Sequence, residues 1–211
     1  MKINEIFFSI QGESSYAGFP TVFVRTSGCN LRCNYCDTTY AYYDGKKMSA
    51  DEIVAEISLH STKFVCITGG EPLLQPEILP LMARLCDSGY KVSLETSGSI
   101  SCSAVDLRVK KIIDIKTPDS GAPNSFNPSN LTFLDVNTEF KFVICSETDF
   151  VWAEEFAKNY DLFGKSNVLY SPAFERVEEK WLAKKILSEK SSARLQLQLH
   201  KYIWSPHSRG V

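Results

Sequence analysis

Leu195-Gln196-Leu197-Gln198-Leu199-His200 is the stretch on which the fold turns. Successive side chains of a strand point to opposite faces. A strand here carries Leu195, Leu197 and Leu199 on one side, and Gln196, Gln198 and His200 on the other. The leucines suit a face packed by helices; the glutamines and the histidine suit a polar lumen. A closed barrel filled by its own side chains wants apolar residues inside. The alternation therefore favours an α/β fold built as a partial, open βα barrel with a wet, ligand-holding interior over a flat doubly wound sheet.

Upstream, apolar runs alternate with amphipathic helices, which implies βα units and about six parallel strands. A short strand-like run covers residues 5–13, and strands are expected at 21–25, 63–67, 91–95, 112–116, 140–145 and 168–170. Ser49 and Glu52 form a capping box ahead of Ile53 and Ile57. Pro76 opens the next helix, with Ile78, Met82 and Leu85 on one stripe and Gly89 as its stop. Two further helices are expected, one around Trp152, Phe156 and Tyr160, the other at 178–188. Residues 119–130, rich in Ser, Gly, Pro and Asn, read as a loop and a candidate cover for the site.

The 211 residues suffice for one domain, residues 1–211, and the apolar fraction of 44% and charged fraction of 23% are those of an ordinary globular protein. A formal charge of −2 without a basic block argues against nucleic acid as a direct ligand. No secretory pattern and no membrane-length apolar run is present, so a cytoplasmic protein that does not engage a membrane is expected. Seven cysteines, an odd number, favour metal use in a reducing compartment over disulfides.

Three of those cysteines stand together in Cys29-Asn30-Leu31-Arg32-Cys33-Asn34-Tyr35-Cys36. Structural zinc would need a fourth ligand and commonly uses paired short spacings. Cys66 and Cys145 lie in apolar strands, Cys86 on a helix and Cys102 in a connection, so no second pair completes such a site. Iron–sulfur cubanes usually take four thiolates; three leave one iron open to a ligand that is not protein.

The cysteine spacing, with Tyr35 inside it and a Gly69-Gly70-Glu71-Pro72 turn behind the next strand, resembles the radical S-adenosylmethionine superfamily. The resemblance implies a [4Fe–4S] cluster on Cys29, Cys33 and Cys36 that binds S-adenosylmethionine at its open iron. It implies reductive cleavage to a 5′-deoxyadenosyl radical that takes a substrate hydrogen, the cofactors supplying the hard chemistry. Gly70 and Glu71 become candidates for the cofactor's amino group, since a Gly-Gly turn lets the backbone approach a ligand closely. Tyr35 and Asp37 flank the cluster. Glu95 and Ser97, at a strand end, are candidates for the ribose or methionine portion, and Asp114, Lys116 and Ser171 follow the same logic.

The ends of the chain narrow the resemblance. Phe8-Ser9-Ile10-Gln11-Gly12-Glu13, Arg25, Cys36-Asp37-Thr38 and Leu199-His200-Lys201 are similar to the 7-carboxy-7-deazaguanine synthase family. That likeness implies ring contraction of 6-carboxy-5,6,7,8-tetrahydropterin to 7-carboxy-7-deazaguanine with loss of ammonia, within queuosine and deazapurine synthesis. Hydrogen leaves C6 and later returns, so the cofactor is regenerated. Ile10, Gln11, Gly12 and Glu13 would meet the pterin edge, Arg25 and His200 its carboxylate, with Thr68 and Pro206 as further contacts. Thr38 would bind Mg²⁺, a hard ion suited to oxygen ligands and water. A flavodoxin- or ferredoxin-type reductant and a homodimer are also implied. Rival readings are a glycyl-radical enzyme activase and, outside enzymes, an iron–sulfur or zinc module. The chain departs from the family pattern at Ser14, where glycine is common, and at Asp114-Ile115-Lys116, where Ser-Pro-Lys occurs.

Overall fold

A computed structural model describes residues 1–205 and 208–211. Nine strands are formed: β1 (Lys2–Ile10), β2 (Pro20–Thr26), β3 (Lys46–Lys47), β4 (Phe64–Gly69), β5 (Lys91–Thr96), β6 (Lys110–Asp114), β7 (Thr138–Ile144), β8 (Asn167–Pro172) and β9 (Arg194–Leu195). The α-helices are α1 (Ala50–Ser58), α2 (Ile78–Asp87), α3 (Glu147–Asn159), α4 (Leu162–Lys165), α5 (Glu179–Ser188) and α6 (His200–Ile203). The strands make one sheet in the order β3-β1-β2-β4-β5-β6-β7-β8-β9. From β2 through β9 every pairing is parallel, whereas β1 runs antiparallel to β2 and β3. The edges β3 and β9 do not pair, so the barrel is open.

Strand alternation decides which face is dry. Val22 and Val24, Val65 and Ile67, Val92 and Leu94, then Phe140, Phe142 and Ile144 all join one buried cluster. The helices meet that face through Ile53 and Ile57, through Ile78, Met82 and Leu85, and through Phe150 and Ala153. Each such side chain buried contributes ~1.5–3 kcal/mol. The residues between them, Arg25, Thr68, Glu95, Asp114 and Lys141, face the interior and line a cavity. The capping box and the glycine stop hold, whereas α2 starts at Ile78 behind Glu77, so Pro76 lies in the turn before the helix and does not open it. Ser49 accepts from the Glu52 N–H at 3.2 Å and Glu52 returns the bond to the Ser49 N–H at 2.7 Å. Gly89 (φ +81°) ends α2, with Gly89 N–H to Cys86 O and Tyr90 N–H to Leu85 O both at 3.0 Å.

Three strand expectations also need correction. The first strand begins at Lys2 and ends at Ile10, leaving residues 11–19 as a turn into β2. The strand expected at 112–116 sits two residues earlier, so Lys116 lies beyond its end. The final strand is only Arg194–Leu195. After it the Leu199 N–H bonds Gly12 O at 3.1 Å, drawing the chain across to the β1–β2 turn, and α6 follows. Gln196 is buried and bonds Leu197 O at 2.8 Å, away from the cavity. Gln198 and His200 do reach the lumen, by a bend and not by strand alternation.

Candidate active site

Parallel strands leave their C-terminal ends as the place where loops can gather side chains around a ligand. Here those ends open on one cavity of about 660 Å³. Its wall carries Cys29, Cys33 and Cys36 from the loop after β2, Gly69 and Gly70 after β4, and Glu95 and Ser97 from the end of β5. Ile10, Gln11, Glu13, Arg25, Tyr35, Asp37, Thr38, Thr68, Asp114, Lys116 and His200 line it too. The sequence-derived site residues thus converge, apart from four discussed below.

The cysteine loop is held from several sides. The Asn34 N–H donates to Ser120 O at 2.8 Å and its side chain to Asp119 O at 2.9 Å. Asp149 in turn fixes that neighbour, accepting from Thr117 Oγ1 and from the N–H of Asp119, each at 2.9 Å. Arg176 reaches Asn34 O at 2.7 Å, and Lys201 pairs with Asp37 at 2.8 Å. Burial raises the pKa of the Cys29 and Cys33 thiols. Among the described residues no three His, Cys, Asp or Glu side chains converge on a single ion. A cubane binds its thiolates at separate corners, so three thiols spread around one end of a cavity suit a cluster better than a lone zinc. Residues 119–130 brace this loop from behind and do not line the cavity, contrary to their expected role as a cover. Ser208, Arg209, Gly210 and Val211 border it instead, with the Arg209 guanidinium 4.0 Å from the Tyr40 ring centre.

The Gly-Gly turn is shaped for close approach. Gly69 adopts φ +153°, and a side chain on Gly70 would overlap Gly28 O and the Cys29 Cβ. Glu71 behaves otherwise. Its carboxylate accepts from Thr96 Oγ1 at 2.8 Å, Ser97 N–H at 2.8 Å, Ser97 Oγ at 2.6 Å and Leu73 N–H at 3.1 Å. It is fully buried and does not line the cavity. Glu71 clamps β4 to β5, and only the glycine backbone of the turn faces a ligand.

At the opposite end Gln11 Nε2 lies 3.5 Å from Glu95 Oε1, and Thr68 Oγ1 donates to Glu95 Oε2 at 3.2 Å. Glu95 therefore belongs with Gln11, Thr68 and the Cys66 thiol, which donates to Oε1 at 3.6 Å. Burial, reinforced by Glu13, raises its pKa. Glu13 takes the opposite course. Burial pushes it upward, but Lys141 and His200 outweigh that and hold it at about 2. Glu13 pairs with Lys141 through one oxygen and accepts from Gln198 Nε2 at 2.8 Å through the other. Gly12 lies behind them, and any side chain on it would overlap the His200 ring. Burial lowers the pKa of His200, against Glu13 and Asp37. Arg25 faces Glu5 across the β1–β2 ladder and donates Nε to Glu5 Oε1 at 2.7 Å. Tyr40 OH donates to the same oxygen at 2.8 Å, and the guanidinium lies over the Phe7 and Tyr40 rings. The terminal nitrogens of Arg25 remain for a carboxylate.

Between the two ends Asp114 lies 3.0 Å from Lys116 and 3.5 Å from Lys141, and Lys116 sits over the Tyr35 ring at 5.4 Å. Tyr35 OH is buried without a hydrogen-bond partner, a polar atom that an added ligand could satisfy, whereas Asp114 Oδ1 is met by Lys116. Thr38 donates to Asp37 Oδ1 at 2.9 Å, and against burial Lys201 and Thr38 hold Asp37 at about 2. Ser171 is fully buried outside the cavity wall, its Oγ also unpartnered. Pro206 lies outside the described residues. The four exceptions are thus Gly12, Glu71, Ser171 and Pro206. Sequence reasoning missed Lys141, Glu5 and Tyr40. For Lys141 a signal existed: Glu139-Phe140-Lys141-Phe142 alternates charge with phenylalanine, which marks a strand with one polar inner face.

A sequence profile described as the Radical SAM superfamily matches residues 23–116. Over the whole chain the protein is 45% identical to the 7-carboxy-7-deazaguanine synthase of Chlorobaculum tepidum, covering 97% of it. It is 46% identical to that of Koribacter versatilis, with all of both chains covered. The crystal structure of QueE from Escherichia coli superposes with a TM-score of 0.77 at 22% identity, over 93% of each chain. The shared fold agrees with the open βα barrel described above, and by its identity over the full length the chain belongs to the 7-carboxy-7-deazaguanine synthase family of the radical S-adenosylmethionine superfamily.

Proposed function

We propose that the chain converts 6-carboxy-5,6,7,8-tetrahydropterin into 7-carboxy-7-deazaguanine with release of ammonia. The observation that carries this reading is 45–46% identity over the full length with synthases of that name. It sets aside the activase and the zinc or electron-transfer module. A [4Fe–4S] cluster on Cys29, Cys33 and Cys36 with S-adenosylmethionine would supply, when bound, the radical that removes a substrate hydrogen. The donor set fits: three thiols, a glycine cradle at Gly69 and Gly70, and an unpartnered buried hydroxyl on Tyr35.

The chain's own residues bind, orient and handle protons. Gln11 and Glu13 read the pyrimidine edge of the pterin, Glu13 as an ionised acceptor. Arg25, its Nε fixed by Glu5, turns its terminal nitrogens to the carboxylate. His200, kept neutral, offers a hydrogen bond beside Glu13. Glu95, its pKa raised by burial, lies next to Gln11 and Thr68 as the candidate proton donor for the nitrogen that leaves as ammonia. Thr38, oriented by Asp37, supplies an oxygen to Mg²⁺. Tyr35, Asp37, Gly70, Ser97 and Lys116 serve the cofactor side. Among the described residues no helix is long and apolar enough to cross a membrane. The reading adds a cytoplasmic setting, a homodimer and a flavodoxin- or ferredoxin-type electron donor.

Anaerobic incubation of cluster-loaded protein with reductant, S-adenosylmethionine, Mg²⁺ and the carboxytetrahydropterin tests it. An ultraviolet-absorbing deazapurine and stoichiometric ammonia are expected. Cofactor cleavage without either product overturns the proposal.

A further inference from the structure

Lys141 stands in the middle of β7 on the inner face, between Asp114 of β6 and Leu169 of β8 in register. It is 8% exposed, and that small exposure faces the cavity. Its ammonium ends between two carboxylates that come from distant parts of the chain, Glu13 in the β1–β2 turn and Asp114 at the end of β6. A lysine is rarely this buried unless it has a task or a partner. Here it has two partners, and neither is needed to close the sheet, because the β6–β7–β8 ladder is already made by backbone bonds. Other ionisable groups line the same cavity, among them Glu95 from β5, His200 from α6, Arg25 from β2 and Lys116 beyond β6. Of the cations, Lys141 alone forms an ion pair with Glu13 among the described residues.

We propose that Lys141 is a positioning and specificity-determining residue: it keeps the Glu13 carboxylate ionised and aimed, so that the site accepts a heterocycle edge bearing hydrogen-bond donors and rejects one bearing an acceptor. This rests on the pterin reading above. An ionised carboxylate only accepts hydrogen bonds; a protonated one also donates. With Lys141 present, a 2-amino-4-oxo edge presents donors to Glu13. A 2,4-dioxo edge, as in a lumazine, keeps the N3–H but turns the C2 carbonyl oxygen toward the carboxylate where the pterin has its amino group, so two acceptors face each other. Without the ammonium, a carboxyl this buried beside Glu95 takes up a proton. It can then serve either edge, and the discrimination collapses.

The probes are 6-carboxypterin and 6-carboxylumazine, both fluorescent and neither a substrate for radical chemistry. Binding is titrated on the intact protein at one pH for the parent, Lys141→Met and Lys141→Arg. A site built to pair a polar group rejects a mismatched analogue by large factors, so the parent is expected to favour the pterin by ~100-fold or more. Lys141→Met should bring the ratio to within ~10-fold, chiefly by weakening the pterin, while Lys141→Arg restores most of it. Because breaking a buried pair can unfold a protein, the double variant Glu13→Gln with Lys141→Met is measured as well. It carries no unpaired charge and should also fail to discriminate. Equal discrimination in the parent and in Lys141→Met, or in the parent and the double variant, overturns the inference and leaves the proposed function standing. A parent that binds neither probe overturns the pterin reading itself.

Discussion

Replacing Glu71 by alanine separates two roles that its place in the Gly-Gly-Glu-Pro turn could give it. The sequence suggests a ligand for the cofactor's amino group, whereas the geometry makes it a clamp with no surface toward the cavity. Its carboxylate accepts from four donors, two backbone N–H groups and two hydroxyls, all within 3.1 Å. Stranding one buried donor costs about 1–3 kcal/mol, and the losses in one network do not simply add. A hydrogen bond to a charged group contributes about 1.5–3 kcal/mol. Taking ~4 kcal/mol, at about 2–4 °C per kcal/mol for a domain of this size, predicts a melting point lower by roughly 8–16 °C. Glu71→Gln keeps one acceptor oxygen and turns an NH₂ toward donors, so roughly half of that shift is expected. Circular dichroism melts of the protein without cluster read this directly, and equilibrium dialysis of S-adenosylmethionine against cluster-loaded protein reads the alternative. A Glu71→Ala variant that melts within about 2 °C of the parent yet no longer binds the cofactor would refute the clamp.

Gly70→Ala forces its Cβ onto Gly28 O and the Cys29 side chain, so the cysteine loop must move; iron and sulfide per chain after anaerobic reconstitution should fall well below the parent's. Arg25→Lys keeps the charge but loses the fork and the Nε bond to Glu5, and KM for the carboxylated substrate should rise ~10–100-fold with kcat changing much less, measured by steady-state kinetics. Glu13 and Asp37 are both held at about 2, below their ordinary values of 4.5 and 3.8. A depressed folded value means that each adds stability that is complete above its ordinary value and is lost as pH falls toward about 2. Melting points should therefore drop steeply below pH 4.5, and Glu13→Gln should flatten part of that drop.

How much of this was legible from sequence depends on whether a residue's task is local. The βα alternation, the capping box at Ser49 and the stop at Gly89 were readable because each rests on neighbours a few residues away. The cysteine triad was readable for the same reason. The clamp made by Glu71 is not legible in its turn, because its partners Thr96 and Ser97 lie at and just past the end of the next strand. Glu95 was placed with the cofactor from its strand-end position, yet it touches Gln11, a residue 84 positions earlier. The final strand shows the limit of periodicity. Residues 195–200 alternate as a strand would, but a backbone bond from Leu199 to Gly12 outcompetes the ladder, and four of the six residues lie outside both β9 and α6.

Asp114 carries this reasoning one step further. The family pattern shows Ser-Pro-Lys where this chain has Asp114-Ile115-Lys116, and an isolated carboxylate added to a cavity wall would be costly. It is not isolated. Asp114 sits 3.0 Å from Lys116 and 3.5 Å from Lys141, two ammonium groups that are 11% and 10% exposed. Glu13 satisfies only one of them. Without Asp114, Lys116 would face the Tyr35 ring and the thiols with no carboxylate beside it. The departure thus supplies the negative charge that lets two buried lysines coexist on one inner face. It also links them, because Asp114 contacts the lysine that positions Glu13 and the lysine that lies over the cysteine loop. A change at either end of the cavity is therefore felt through one shared carboxylate. Asp114→Ser should leave an excess positive charge between the two ends and weaken both ligands together, where loss of a residue serving one end would weaken one.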